Sequence, residues 1–286
     1  QCGDQRIAQI AQQARAQRAG ADGCDRTKHG SSYAVLSPGM PWRARSGLAG
    51  GPVPVILRRQ PFPPSEPVFP MTHASIDVLG IGNAIVDIIA RTEDDFLVCH
   101  GMTKGGMALI DEARATAIYD AMGPAVEISG GSAANTIVGA ASFGARAAFV
   151  GKVKNDLLGK AFTHDIRAIG VGFDTPPAFE GPSTARCYIL VTPDGERTMN
   201  TYLGAAQDLH PADIDPAQIE AAAITYLEGY LWDPKNAKDA FLKAADIAHA
   251  KNRTVALTLS DAFCVDRYRF EFLELIRTRT VDVVFA

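Results

Sequence analysis

Hydrophobic and polar positions fall into a regular rhythm only from residue 71 onward. Ile76–Ile81 (IDVLGI) is a near-continuous apolar run and predicts a strand buried on both faces. Glu112–Met122 predicts a helix. Glu127–Ile128 leads into a Gly-Gly turn, and Ala133–Phe143 predicts the helix after it. Ala147–Val150 predicts a strand and Leu157–Ile169 a helix, with Gly170 placed to end it. Ala185–Thr192 and Arg197–Leu203 flank Pro193-Asp194-Gly195-Glu196, a hairpin signal. The strand Ile224–Leu231, the helix Pro234–Lys251 and the strand Thr254–Leu259 follow. That helix opens on a proline, whose missing N–H would be unpaired there anyway, and carries the stripe Ala240, Leu242, Ala244, Ala245, Ile247 and Ala248. A helix near Phe270–Arg279 leads to a last strand, Val281–Ala286.

Strands alternating with crossover helices predict an α/β fold, a mostly parallel sheet covered on both faces. The hairpin breaks that rhythm and predicts a small accessory sheet. No apolar run reaches the roughly 18 residues of a membrane-spanning helix.

Composition divides the 286 residues in two. Residues 1–70 hold nine Lys/Arg against four Asp/Glu and nine of the 17 prolines, leaving 19 Lys/Arg against 28 Asp/Glu for 71–286. The overall charge of −4 is therefore a cancellation between a basic piece and an acidic one. Pro52, Pro54, Pro61, Pro63, Pro64, Pro67 and Pro70 exclude lasting helices or central strands, and the one helix that fits, Ile7–Arg18, has an apolar face of mostly alanine. Residues 1–70 are expected to be mainly disordered. They read as a transit peptide, as an arm for an anionic partner, or as an extension foreign to the natural protein, with Met71 as the expected natural start. Cys2, Cys24, Cys99, Cys187 and Cys264 form no CxxC pair and follow no signal peptide, so a reduced, cytoplasmic protein is expected. The acidic balance argues against a nucleic acid partner, and the absence of a long apolar run against a membrane one.

Several chemistries are excluded by motif. Gly80-Ile81-Gly82-Asn83-Ala84-Ile85 starts like a dinucleotide fingerprint but ends on Ile85 where Gly or Ala is needed. There is no GxxxxGK[ST], HExxH or GxSxG, and the histidines have no metal-ligand spacing. Asn83 and Asp87, just after a buried-type strand, are a polar pair suited to a vicinal diol; the alternative is a turn residue and an acid paired with a cation. In Ser129-Gly130-Gly131-Ser132-Ala133-Ala134-Asn135 the glycines allow a close backbone approach, Ser132 is a candidate cap and Asn135 falls in the first turn; the alternative is an ordinary capped helix.

The run Gly130–Gly159 resembles the N-terminal signature of the ribokinase-like, or PfkB, family of sugar and nucleoside kinases. The resemblance extends over Met71–Ala286 and includes Gly82-Asn83…Asp87, Lys104-Gly105-Gly106 and the hairpin Thr192–Arg197. It is strongest toward bacterial members of the adenosine-kinase type. Lys154 and Asn155 depart from it, standing where the family usually has Gly and Asp.

The resemblance implies a ribokinase-like doubly wound domain with a small β-sheet lid, here from segments of about 83–110 and 183–204. It implies that Asp87 accepts the ribose hydroxyls and that Asn83, Gly130, Gly131 and Asn135 complete the pocket. Gly105 and Gly106 would lie where the lid meets substrate, and Met107 and Leu109 would help form a slot for a purine. Arg197 is a candidate phosphate contact, its alternative a surface ion pair with Glu196 or Asp194. Asp261 is a candidate near the nucleotide, its alternative an N-cap. ATP would be the donor, with Mg2+, and a nucleoside or sugar the acceptor. The chain would be a monomer or a homodimer joined through the lid.

The family's second signature, Gly-Ala-Gly-Asp, supplies its general base and anion hole, and no such run occurs in the 286 residues. Its Asn-x-x-Glu magnesium motif commonly follows the strand corresponding to Val281–Phe285. The expectation is a domain whose C-terminal part is missing, without a catalytic base and inactive by itself. A ribokinase, fructokinase or ketodeoxygluconate kinase is the rival within the class, and a non-catalytic nucleoside- or sugar-binding module the rival outside it.

Overall fold

Short runs of three to seven residues, mostly apolar and too short for helices, become the strands that organise the chain. The computed structural model describes residues 74–286. The expectations for residues 1–70, including the helix Ile7–Arg18, and for Met71 lie outside the described residues. In chain order the elements are β1 (Ile76–Ile81), β2 (Ile85–Arg91), α1 (Asp94–Cys99), β3 (Met107–Leu109), α2 (Glu112–Ala121), β4 (Ala125–Gly130), α3 (Ser132–Ser142), β5 (Ala147–Val150), α4 (Leu157–Ala168), β6 (Ala185–Val191), β7 (Arg197–Tyr202), α5 (Pro216–Ala221), β8 (Ala222–Glu228), α6 (Lys235–Ala250), β9 (Thr254–Thr258), α7 (Ala262–Arg277) and β10 (Val283–Phe285).

Five strands form a parallel sheet in the order β10-β9-β8-β1-β5. The chain moves from β1 outward to β5 on one side, then returns to place β8, β9 and β10 on the other. Strand order thus reverses between β1 and β8, and the carboxyl ends of those two strands frame the crevice where open α/β sheets bind ligands. Side chains of β1 alternate between two cores: Leu79 and Ile81 pack with α6 residues such as Phe241 and Ala244, while Val78 packs with Phe149, Phe162 and Ile137. Gly80 is required there, since a Cβ would lie 2.5 Å from Ile137 on α3.

The long helix α6 buries Ala237, Ala240, Phe241, Ala244, Ala245 and Ala248, a stripe at helical spacing whose small residues let it lie close to the sheet. Leu242, counted in the expected stripe, is 39% exposed; Phe241 takes the inner position, against Trp232. The strand expected to reach Leu231 ends at Glu228, and Gly229–Trp232 forms a tight 3₁₀ turn. The helix expected near Phe270 starts at Ala262 and is kinked at Tyr268.

The second sheet is mixed, in the order β3-β7-β6-β2-β4. It contains the hairpin β6–β7 and, beyond the sequence expectation, the strands β2, β3 and β4. No helix among the described residues is long and apolar enough to cross a membrane.

Candidate active site

The chain leaves β1, makes a short turn at Gly82–Ala84 and enters β2, passing from the parallel sheet to the mixed one. Asn83 sits in that turn, fully buried. Its backbone N donates to Glu228 Oε2 at 2.7 Å, and its Nδ2 donates to the same oxygen at 2.9 Å. Glu228 Oε1 accepts from the backbone N of Ala133 at 2.8 Å, in the first turn of α3. One buried carboxylate therefore ties the ends of β1 and β8 to the start of a helix, where the free N–H groups and the helix dipole favour negative charge. Burial pushes the Glu228 pKa up and the three N–H donors pull it back down. Asn83 Oδ1 is buried without a hydrogen-bond partner, although the residue itself lines the cleft.

Asp87 lies in β2, opposite Ile128 of β4 and beside Cys187 of β6. Burial raises its pKa to about 6, against the opposing pull of the Arg197 charge. At neutral pH it remains mostly ionised but poorly solvated, a state that a hydroxyl donor would relieve. Gly130 makes room for it: a Cβ there would lie 2.2 Å from Asp87 Cγ. Gly131, at φ +97°, caps α3, and a Cβ there would lie 2.4 Å from the Asn83 carbonyl oxygen. Ser132, expected as the cap, is instead the first helical residue and is exposed; the close approach of residue 131 to Asn83 leaves only a glycine at the capping position.

These groups open into a cleft of ≈ 330 Å³, within the range of small-molecule sites. Asn83, Asp87, Gly131, Asn135 and Arg197 line it together. One wall is apolar, with Ile85, Met107, Leu109, Ile189 and Met199 from the mixed sheet. The opposite rim carries Tyr230, Asp261 and Arg267 from beyond β8 and β9. Asp261 is also the N-cap of α7, its Oδ1 accepting from Cys264 N at 2.8 Å, so its capping and cleft-lining positions coincide. Asp194 pairs with Lys104 at 2.6 Å rather than with Arg197. Gly105 and Gly106 do not line the cleft. They form the turn before β3, Gly105 at φ +71° donating to Thr198 Oγ1, and so hold Met107 at the wall. Cys187 and Cys264 are both buried free thiols that line the cleft, each raised to about 11 by burial.

Sequence reasoning missed Glu228 and Arg267. The available signal for Glu228 was an acid closing an otherwise apolar strand (AAITYLE) just before a glycine. Arg267 carried none, because its position depends on the helix start at Ala262.

Residues 109–286 match the model of the pfkB family carbohydrate kinases. Among solved structures, the chain is similar to the adenosine kinase from Sinorhizobium meliloti, with 60% identity and a TM-score of 0.69 over 74% of this chain and 65% of that one. It is similar to the probable sugar kinase protein from Rhizobium etli, with 55% identity and a TM-score of 0.70 over 74% and 64% of the two chains. Among curated proteins it is 29% identical to the probable fructokinase-4 of Arabidopsis thaliana over 43% of this chain and 38% of that protein. The chain thus spans about two fifths of that curated relative and just under two thirds of the two solved structures.

Proposed function

The chain belongs to the pfkB family of carbohydrate kinases, and we propose that it provides the acceptor-binding part of a kinase that phosphorylates the primary hydroxyl of a nucleoside, adenosine foremost. The observation that carries this reading is the pairing, in one cleft, of the poorly solvated Asp87 carboxylate with an apolar wall. The carboxylate accepts two hydroxyl donors and fits the 2′,3′-diol of ribose. The wall fits a flat base, for which a free sugar has no counterpart. The identity to the S. meliloti adenosine kinase supports the same assignment.

In this reading the Asn83 turn forms the floor beside the ribose, and Glu228 holds that turn in place. Asn135 donates from the first turn of α3. Arg197 faces the acceptor end, where its guanidinium meets the charge of an incoming phosphoryl group. The wall excludes water that would otherwise compete as acceptor. Family membership implies ATP as the donor substrate, and Mg2+ is typical of such reactions. Among the described residues no three His, Cys, Asp or Glu side chains converge to hold a metal ion, so the residues present do not form a site for that ion and no step is derived through it.

The 286 residues contain no Gly-Ala-Gly-Asp run, so this chain by itself is proposed to bind acceptor without transferring phosphate. Calorimetric titration of the purified chain with adenosine, ribose and fructose tests the reading. Adenosine binding at least roughly tenfold tighter than either sugar is the expected result, from burial of the base against the wall. Equal or tighter sugar binding would transfer the assignment to a sugar kinase.

A further inference from the structure

A second cavity, at ≈ 720 Å³ larger than the acceptor cleft, shares no lining residue with it. It is bounded by the loop after β5, one face of α4, and the segment Asp174–Pro177. Lys160, Thr163, His164 and Arg167 are spaced i, i+3, i+4, i+7, so they form one stripe along α4, and that stripe lines the cavity. Lys154 adds a third full cation from the loop, against a single lining carboxylate, Asp174.

This concentration of positive charge stands out because residues 71–286 carry 28 acidic against 19 basic side chains. The cations also retain donors. Lys154 gives one hydrogen bond, to Gly181 O at 2.9 Å, and keeps two N–H groups. Arg167 spends Nε and Nη2 on Phe173 O, the latter also reaching Asp174 at 3.2 Å, which fixes its plane and leaves Nη1 uncommitted. Lys160 is exposed, with its ammonium directed by no ion pair. Thr175, in the lining segment Asp174–Pro177, is buried with its hydroxyl lacking any partner. Val153, Ala168 and the rigid pair Pro176-Pro177 supply an apolar flank. A fixed guanidinium, ammonium groups with spare donors and an apolar flank together are the recognition elements of a phosphate carried on an organic body.

We propose that this cavity binds a phosphorylated small molecule at a site separate from the acceptor cleft. The test is a titration of the isotopically labelled 286-residue chain, read residue by residue through its amide NMR signals, with AMP, inorganic phosphate and adenosine as probes. AMP is expected to shift amides around Lys154, Lys160, Arg167 and Thr175. The charge-reversing variant Lys160→Glu is expected to weaken that response roughly tenfold or more, and Lys160→Arg to retain it. Lys160 is exposed, so both variants are expected to keep the melting temperature of the parent. Inorganic phosphate acting on the same amides would identify the phosphate alone as the recognised group; its failure where AMP succeeds would make the organic body part of the ligand. The proposal is overturned if AMP shifts only the Asn83, Asp87 and Arg197 region, if adenosine acts on the cavity as strongly as AMP, or if Lys160→Glu leaves AMP binding unchanged.

Discussion

Glu228 and Asn83, 145 positions apart in the chain, are joined by two hydrogen bonds to one carboxylate oxygen, 2.7 Å from the Asn83 backbone N and 2.9 Å from its Nδ2. The link closes the crevice between β1 and β8 at the point where strand order reverses. Replacing Glu228 by Ala strands three buried N–H donors, counting that of Ala133. The expected cost is about 3 kcal/mol or more of stability, read as a lowered melting temperature together with weakened adenosine binding. Glu228→Gln, which keeps an acceptor oxygen, is expected to lose less of both.

Asp87 predicts opposite effects on stability and binding. Its pKa is raised to about 6 by burial, so the folded state pays for the charge wherever that charge is present. Well above pH 6 both folded and unfolded chains are ionised at this site and the penalty is complete; well below pH 4 both are protonated and it vanishes. Wild-type stability should therefore gain as pH falls through 6 toward 4 at this group, and Asp87→Asn should be more stable than wild type by up to about 3 kcal/mol well above pH 6, a difference that disappears well below pH 4. Thermal melts of both proteins across that range check this. Adenosine affinity should fall as pH drops through 6, and Asn at 87 should bind weakly at every pH.

Adjacent glycines should respond differently to alanine. At Gly130 the new methyl meets the Asp87 carboxyl, which can rotate away at the expense of its binding pose. At Gly131 it meets the Asn83 carbonyl at 2.4 Å while the backbone stays at φ +97°, so nothing can yield cheaply. Gly130→Ala is expected to abolish most adenosine binding with a small shift in melting temperature. Gly131→Ala is expected to lower stability by about 2 kcal/mol or more as well. Paired melting and titration measurements separate the two.

The purified chain is expected to bind adenosine yet form no AMP from ATP and adenosine. Chromatographic detection of ATP-dependent AMP formation above the buffer rate would refute that expectation and require a base other than the family's Gly-Ala-Gly-Asp aspartate.

Much of the parallel sheet was legible because its strands are short, continuous apolar runs with helix-periodic segments between them. Ile76–Ile81 and Ala147–Val150 match the expected limits residue for residue. The strand β2 was not legible, since Asp87 interrupts Ile85–Arg91 at its third position and aspartate is disfavoured in strands. The same feature that hid the strand is the candidate chemistry. The start of α7 was hidden in a similar way. Phe263 and Phe270 are exposed, Tyr268 kinks the helix, and the inward stripe of Cys264, Tyr268, Phe272 and Leu275 includes only two strongly apolar residues, both in its second half.

By itself the sequence determined an α/β body from residue 71, its kinase-family resemblance, and Asn83, Asp87, Gly131, Asn135 and Arg197 as candidates, because local periodicity and motif spacing are written in neighbouring residues. Only the tertiary structure decided that those five line one cleft, that Gly105 and Gly106 support its wall from outside, and that Glu228 braces Asn83. Such relationships depend on distance in space between residues far apart in the chain. A carboxylate at the end of a strand carries no mark of the N–H groups it will meet until the strand order has been closed.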